Sequence, residues 1–151
     1  MIPSGIRTLI GQFPLGIVAT VTPEGRPAAS PKGTFLVLDD RTLAYGDIRS
    51  PGTRANLDHM AELEVVFVDP FKRKGARLRG ATRVVPRDAA EFADLIGHWS
   101  ATWGDLADRI GALVVIEISA CLPLATPPYD DGATETDMIA AYQSKYKEIY
   151  P

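Results

Sequence analysis

Along this chain apolar positions alternate between a period of two and a period near 3.6, and that switching divides the sequence into elements. Ile6, Leu9 and Ile10 recur at helical spacing after Ser4, which predicts a short N-terminal helix ending near Gly11. Gly16–Thr22 (GIVATVT) is apolar and β-branched, a strand. Pro23-Glu24-Gly25-Arg26 is turn chemistry, so Pro27–Lys32 runs back as the second strand of a hairpin. Thr34–Leu38 and Thr42–Tyr45 read as strands around an Asp39-Asp40 turn, and Thr53–Met60 as a short helix. Glu64–Val68 is a strand closed by Asp69-Pro70, and Ala76–Val85 is a long strand with Arg77, Arg79 and Arg83 on one face. Phe92, Leu95, Ile96 and Trp99, spaced i, i+3, i+4, i+7 behind Asp88 and Glu91 at capping-box spacing, give the strongest helix signal. Ala112–Ala120 is the last strand. Pro123, Pro127 and Pro128 predict an extended, non-helical link. Thr134 then caps a final helix with Ile139, Tyr142, Tyr146 and Ile149 on one stripe.

Six or seven short strands, mostly in hairpins, without regular strand–helix alternation, predict a mainly β fold: an antiparallel barrel with flanking helices. With 151 residues and neither internal repeat nor linker, residues 1–151 read as a single domain. A net charge of -3 argues against a general nucleic-acid binder. The single cysteine, Cys121, rules out an internal disulfide framework and reads as a buried structural thiol, which suits a reducing cytoplasm. The N-terminus lacks a basic region followed by an apolar one, and the longest apolar run, Ala112–Ile116, meets Glu117 at once. The expectation is a soluble cytoplasmic protein with no membrane span.

Two polar clusters interrupt this pattern close together. Ser30-Pro31-Lys32-Gly33-Thr34 breaks into an apolar strand pattern. Asp47-Ile48-Arg49-Ser50-Pro51-Gly52-Thr53-Arg54 follows another strand and opens the short helix, with Ser50 as N-cap and Pro51 in the first turn. Free backbone N–H groups, hydroxyls at Ser50 and Thr53 and a cation at Arg54 suit a phosphate, although an ordinary capped helix reads the same way. Elsewhere, His59, His98 and Cys121 form no metal-ligand pattern. There is no GxSxG serine, Walker loop or Rossmann glycine fingerprint. The run Lys72, Arg73, Lys74, Arg77, Arg79, Arg83 beside Phe71 permits a single-stranded nucleic-acid face; a solvated face, or one paired with acids, is the commoner outcome.

Taken jointly and in order, Gly16–Pro27 (GIVATVTPEGRP), Ser30–Phe35 (SPKGTF), the Tyr45–Asp47 strand end, Ser50–Leu57 (SPGTRANL), Val65–Phe71 (VVFVDPF) and Arg73–Gly80 (RKGARLRG) resemble the pyridoxamine 5′-phosphate oxidase-like, FMN-binding split-barrel superfamily. The resemblance implies a split β-barrel homodimer with two FMN sites at its interface. It places Ser30, Lys32 and Gly33 on the strand edge that meets the flavin, and Tyr45 and Asp47 where a strand end approaches the ring system or ribityl chain. Ser50, Thr53 and Arg54 match the phosphate-binding loop and helix start. Lys74 and Arg77 lie where the family crosses toward the cofactor from the partner chain, and Trp103 would cover the flavin from the other protomer.

The departures from that family narrow the function. Oxidases of pyridoxamine phosphate hold the substrate phosphate with arginine and histidine near the C-terminus, whereas here no arginine follows Arg109, and the tail cations are Lys145 and Lys147. Ser30 stands where those oxidases carry arginine, which leaves FMN and a deazaflavin both open. The resemblance therefore implies an FMN-dependent oxidoreductase acting on a small-molecule substrate or NAD(P)H, and not on pyridoxamine phosphate. A cofactor-binding protein without turnover is the second reading.

Overall fold

The computed structural model describes residues 1–151. Its elements follow in the order α1 (Ser4–Gln12), β1 (Gly16–Val21), β2 (Pro27–Lys32), β3 (Phe35–Val37), β4 (Thr42–Asp47), α2 (Pro51–His59), β5 (Glu62–Asp69), β6 (Lys74–Pro86), α3 (Ala90–Trp103), β7 (Ala112–Ala125) and α4 (Glu135–Ile149), with 3₁₀ turns at Gly104–Arg109 and Pro127–Tyr129. The seven strands form one curled, antiparallel sheet in the order β2-β1-β5-β6-β7-β4-β3. With its four helices this is the antiparallel, mainly β architecture with flanking helices that the strand pattern predicts, in the split-barrel form that the resemblance implies.

Two cores account for the hydrophobic pattern. Strands β1 and β5 alternate buried and exposed residues, and their inward residues Val18, Val65 and Phe67 join Ile2, Ile6, Ile10, Phe35, Tyr45 and Leu78 in the barrel interior, which α1 closes. A second core lies on the other side of the sheet, where Phe92 and Trp99 of α3 pack with Ala44, Val85, Ile110 and Leu113. Strands β4 and β7 serve both cores at once. That is why Leu113–Ile116 is apolar without alternation: Leu113 and Val115 face α3, while Val114 and Ile116 face the barrel.

The strand β6 carries a register shift between Arg79 and Gly80 against β7. At the shift the chains approach so closely that a Cβ on residue 80 would lie 2.2 Å from the Glu117 carbonyl oxygen, and only glycine has none.

Several local expectations differ. Asp88 and Glu91 form no capping box: α3 starts at Ala90 with extended Ala89 before it, and Glu91 instead binds Arg83 of the neighbouring strand at 2.6 Å. Strand β7 continues through Pro123 to Ala125, because β4 pairs with it only as far as Glu117 and leaves the later residues on an edge, where a proline costs no ladder bond. Pro127-Pro128-Tyr129 is a 3₁₀ turn, not an extended link. Helix α4 is capped by Thr134 and Asp137 as a reciprocal box; Ile139, Tyr142 and Tyr146 of its stripe are half-buried beside the buried Met138, while Ile149 is exposed. Cys121 is half-buried against the barrel core, and burial raises its thiol pKa, in keeping with an inert packing role.

Candidate functional site

The two polar clusters converge. Hairpin β1–β2 sets Ser30 and Lys32 on the edge strand of the sheet, and helix α2 lies across β1, fastened there by Asn56 Nδ2 donating to Thr20 Oγ1 at 3.0 Å between buried groups. A cleft of about 330 Å³ opens between them, lined by Thr20, Ala28, Ala29, Ser30 and Lys32 on one wall and by Arg49, Ser50, Gly52, Thr53 and Asn56 on the other. Lys32 Nζ donates to Ser30 Oγ at 2.9 Å, and burial holds the ammonium pKa below the ordinary lysine value despite the nearby Asp47 carboxylate.

The helix start is prepared in an unusual way. Ser50 occupies the N-cap position but caps nothing, because its hydroxyl donates to Asp47 Oδ1. Pro51 has no N–H, and the first backbone bond back into the turn is Arg54 N–H to Ser50 O at 3.0 Å. The N–H groups of Gly52 and Thr53 therefore have no partner inside the chain, and both residues border the cleft. Nothing lies within 4 Å of where a Gly52 Cβ would stand, so the first turn is open to an approaching group. Unpaired N–H donors at the positive end of a helix dipole, the Ser30 and Thr53 hydroxyls and the Lys32 ammonium form a donor set for an anion.

Asp47 and Arg54 act behind this surface. Asp47 is buried and accepts from Ser50 and from Arg54 Nη1 at 3.1 Å, which fixes the corner where β4 passes into α2. Arg54 thus points at Asp47 and does not line the cleft. It borders a neighbouring opening of about 490 Å³ that shares Arg49 and Ser50 with the first. Tyr45 is fully buried against Phe35, with ring centroids 5.1 Å apart, and its hydroxyl has no hydrogen-bond partner. Burial, aided by the Asp47 charge, raises the phenol pKa well above its usual range. The alternation that puts Leu43 in the barrel puts Tyr45 there as well, so its ring does not reach the cleft.

Gly33 is exposed with free space around it, and the next residue anchors the loop: Thr34 Oγ1 donates to Gly46 O at 3.0 Å and accepts from Gly46 N–H at 2.9 Å, while Trp99 Nε1 donates to Thr34 O at 2.8 Å. Lys74 and Arg77 stand apart from the cleft within one chain. Lys74 is bound to Glu135 at 3.1 Å and lies over the Tyr129 ring, and Arg77 shares Glu64 with Arg79. Trp103 ends α3, half-buried against the second core and also away from the cleft. His59 and His98 are exposed on α2 and α3, and no group of histidine, cysteine and acidic residues could hold a metal ion.

Sequence reasoning passed over Arg49. It lines both openings and has no carboxylate within 4.0 Å. The available signal was a cation directly before the N-cap of a helix whose first turn carries no acid. A larger cleft, about 640 Å³, lies elsewhere, over β4, β6 and β7. Its walls alternate Asp39, Asp40 and Glu117 with Arg41 and Arg83, so opposite charges answer one another and no single ligand charge is favoured.

A family model described as pyridoxamine 5′-phosphate oxidase matches residues 2–120 of this chain. Among solved structures, tagged HupZ of Group A Streptococcus is similar at 25% identity, over 83% of this chain and 96% of its own, with a TM-score of 0.71. An FMN-binding protein from Syntrophomonas wolfei is similar at 15% identity, over 80% and 84% of the two chains, with a TM-score of 0.67. HutZ, described as the heme storage protein of Vibrio cholerae, is similar at 16% identity, over 81% and 94%, with a TM-score of 0.63. The last two likenesses speak for the fold alone. No curated protein matches the chain.

Proposed function

The chain belongs to the pyridoxamine 5′-phosphate oxidase family, and from that premise we propose that it is an FMN-dependent oxidoreductase that works as a homodimer. The observation that carries the reading is the convergence of Ser30 and Lys32 with the uncapped start of α2. A phosphate monoester needs hydrogen-bond donors and positive charge at one end, and this cleft offers both. Ser30, Lys32, Thr53 and the N–H groups of the first turn would hold the phosphate, with Gly33 giving the backbone room to approach and Ser50, its hydroxyl committed to Asp47, bordering the site. Asp47 and Arg54 would keep the corner rigid. FMN, when bound, supplies hydride and electron transfer at its ring system; the chain binds it, orients it and keeps water from it.

The ring would lie against the outer face of the sheet, between protomers. One register row across that face reads Pro31, Ile17, Val66, Arg77, Leu122, and Ile17 and Leu122 are exposed. An apolar row of this kind on a sheet face suits a second copy of the chain. The partner's Arg77, with Lys74 and Trp103 as further candidates, would then approach the cofactor. The substrate is a small molecule other than pyridoxamine phosphate, with NADH or NADPH as reductant, because the C-terminal helix bears only exposed Lys145 and Lys147 where a second phosphate would need arginine.

The cofactor's chemistry favours flavin over heme, since neither His59 nor His98 borders the cleft to serve as an axial ligand. A nucleic-acid face is disfavoured, since every cation of β6 has a carboxylate partner: Glu135, Glu64 or Glu91. The test is a visible spectrum of the purified protein with and without added FMN, run beside gel filtration, followed by NADH and NADPH consumption. Flavin absorbance co-eluting with a dimer supports the reading, and steady reductant consumption separates an oxidoreductase from a storage protein. A colourless protein that leaves added FMN fluorescence unquenched ends it.

A further inference from the structure

We infer that the phosphate of the cofactor is read by Arg49 together with Lys32, and that Arg54, the arginine inside the helix, is a positioning residue; this inference rests on the FMN reading above. Both arginines flank the start of α2, so sequence alone does not rank them. Their surroundings do. Arg54 is already neutralised by Asp47, which is buried and has no other cation within ion-pair distance. Taking the guanidinium away to serve a ligand would leave the carboxylate buried and unpaired, a costly state. Arg49 has no carboxylate partner, is exposed, and borders both openings beside the free N–H groups of Gly52 and Thr53. A phosphate settling there would meet the guanidinium from outside, the Lys32 ammonium from the opposite wall and the helix donors between them. The two cations nearly match a phosphate dianion, and neither has to abandon a partner to do so.

The inference assigns opposite consequences to the two arginines. FMN and riboflavin share a ring and differ in the phosphate, so the ratio of their affinities isolates phosphate recognition from everything else. Both are titrated by fluorescence quenching against the wild-type protein, Arg49→Ala, Arg49→Lys and Arg54→Ala, with a thermal melt of each variant. Arg49→Ala should lose about ten- to hundredfold in FMN affinity with riboflavin unchanged and melting unaltered. Arg49→Lys should keep most of the preference. Arg54→Ala should lower the melting temperature, weaken both ligands alike and leave their ratio intact. An Arg49→Ala protein that still prefers FMN over riboflavin as the wild type does overturns the inference, as does a wild type with no such preference. A wild type that binds neither compound refutes instead the FMN reading beneath it.

Discussion

Asp47 and Arg54, seven residues apart on β4 and α2, meet at 3.1 Å with the carboxylate buried and the guanidinium half-exposed. Ser50 donates to the other carboxylate oxygen, so one side chain ties the strand end, the N-cap residue and the second turn of the helix. The arrangement removes Ser50 from its usual capping task and frees the first-turn N–H groups for another acceptor. Structure and the proposed function are linked at this point: a buried acid prepares the helix start that would take the phosphate.

Replacing Asp47 by Ala should therefore destabilise the chain by about 1–3 kcal/mol, less than for a fully buried pair because water reaches Arg54. Denaturant unfolding measures it. Asp47→Asn keeps a hydrogen-bond acceptor for Ser50 and should cost less. Equal losses for both variants would mean that the charge, and not the hydrogen bonds, holds the corner.

The fold and the two clusters were legible in the sequence because each rests on a local rule. Alternation marks β1 and β5, helical spacing marks α3, and turn residues mark the hairpin β1–β2. What was not legible depends on neighbours distant in sequence. Ser50 reads as a cap until Asp47 is seen to take its hydroxyl. Arg54 reads as a free cation until the same carboxylate is seen to hold it. Tyr45 reads as a site residue until the strand's register turns it into the barrel. Asp88 and Glu91 have capping spacing, yet Arg83, brought in by the adjoining strand, wins Glu91. Lys74 and Arg77 lie outside the cleft in a single chain, and only a second protomer would bring them to it.

Two glycines should separate a fold requirement from a binding requirement. At Gly80 an added Cβ meets the Glu117 carbonyl oxygen at 2.2 Å, backbone against backbone, so Gly80→Ala should cost about 1–3 kcal/mol or more. At Gly52 the space is open and the backbone helical, so Gly52→Ala should leave stability unchanged or slightly raised. The same methyl group would stand in the path of the proposed phosphate and should weaken FMN. Thermal melts with and without FMN check both, and a Gly52→Ala protein that binds FMN undiminished would move the phosphate away from the first turn.

The outer sheet face offers a direct test of self-association. Ile17 and Leu122 are 45% and 49% exposed, in one row with Arg77, which is costly for a free surface and ordinary for a covered one. Ile17→Asp and Leu122→Asp should leave the fold intact, since neither side chain is in a core, and convert a dimer into a monomer on gel filtration. Because the proposed site is completed by the partner, both should also lose FMN. Dimers that survive both changes would place the interface on another face.

Lys32 gives the site a signature in pH. Burial lowers its pKa from the ordinary 10.5, with Asp47 opposing part of the shift. Below the lowered value the lysine is charged in both folded and unfolded chains, and the folded state carries the full cost of burying that charge. Between the lowered and the ordinary value the unfolded chain holds more protons than the folded one, so this group makes stability rise with pH across that window. Ligand binding has the opposite slope. A phosphate beside the ammonium favours the charged form, so the complex takes up a proton in the same window and FMN affinity falls as pH increases. Riboflavin, which shares the ring, corrects for titration of the flavin itself, and the ratio of FMN to riboflavin affinity isolates the lysine. That ratio should decline on the alkaline side in the wild type and stay flat in Lys32→Met. A wild-type ratio that does not vary with pH would remove Lys32 from the phosphate site while leaving the Arg49 assignment open to its own test.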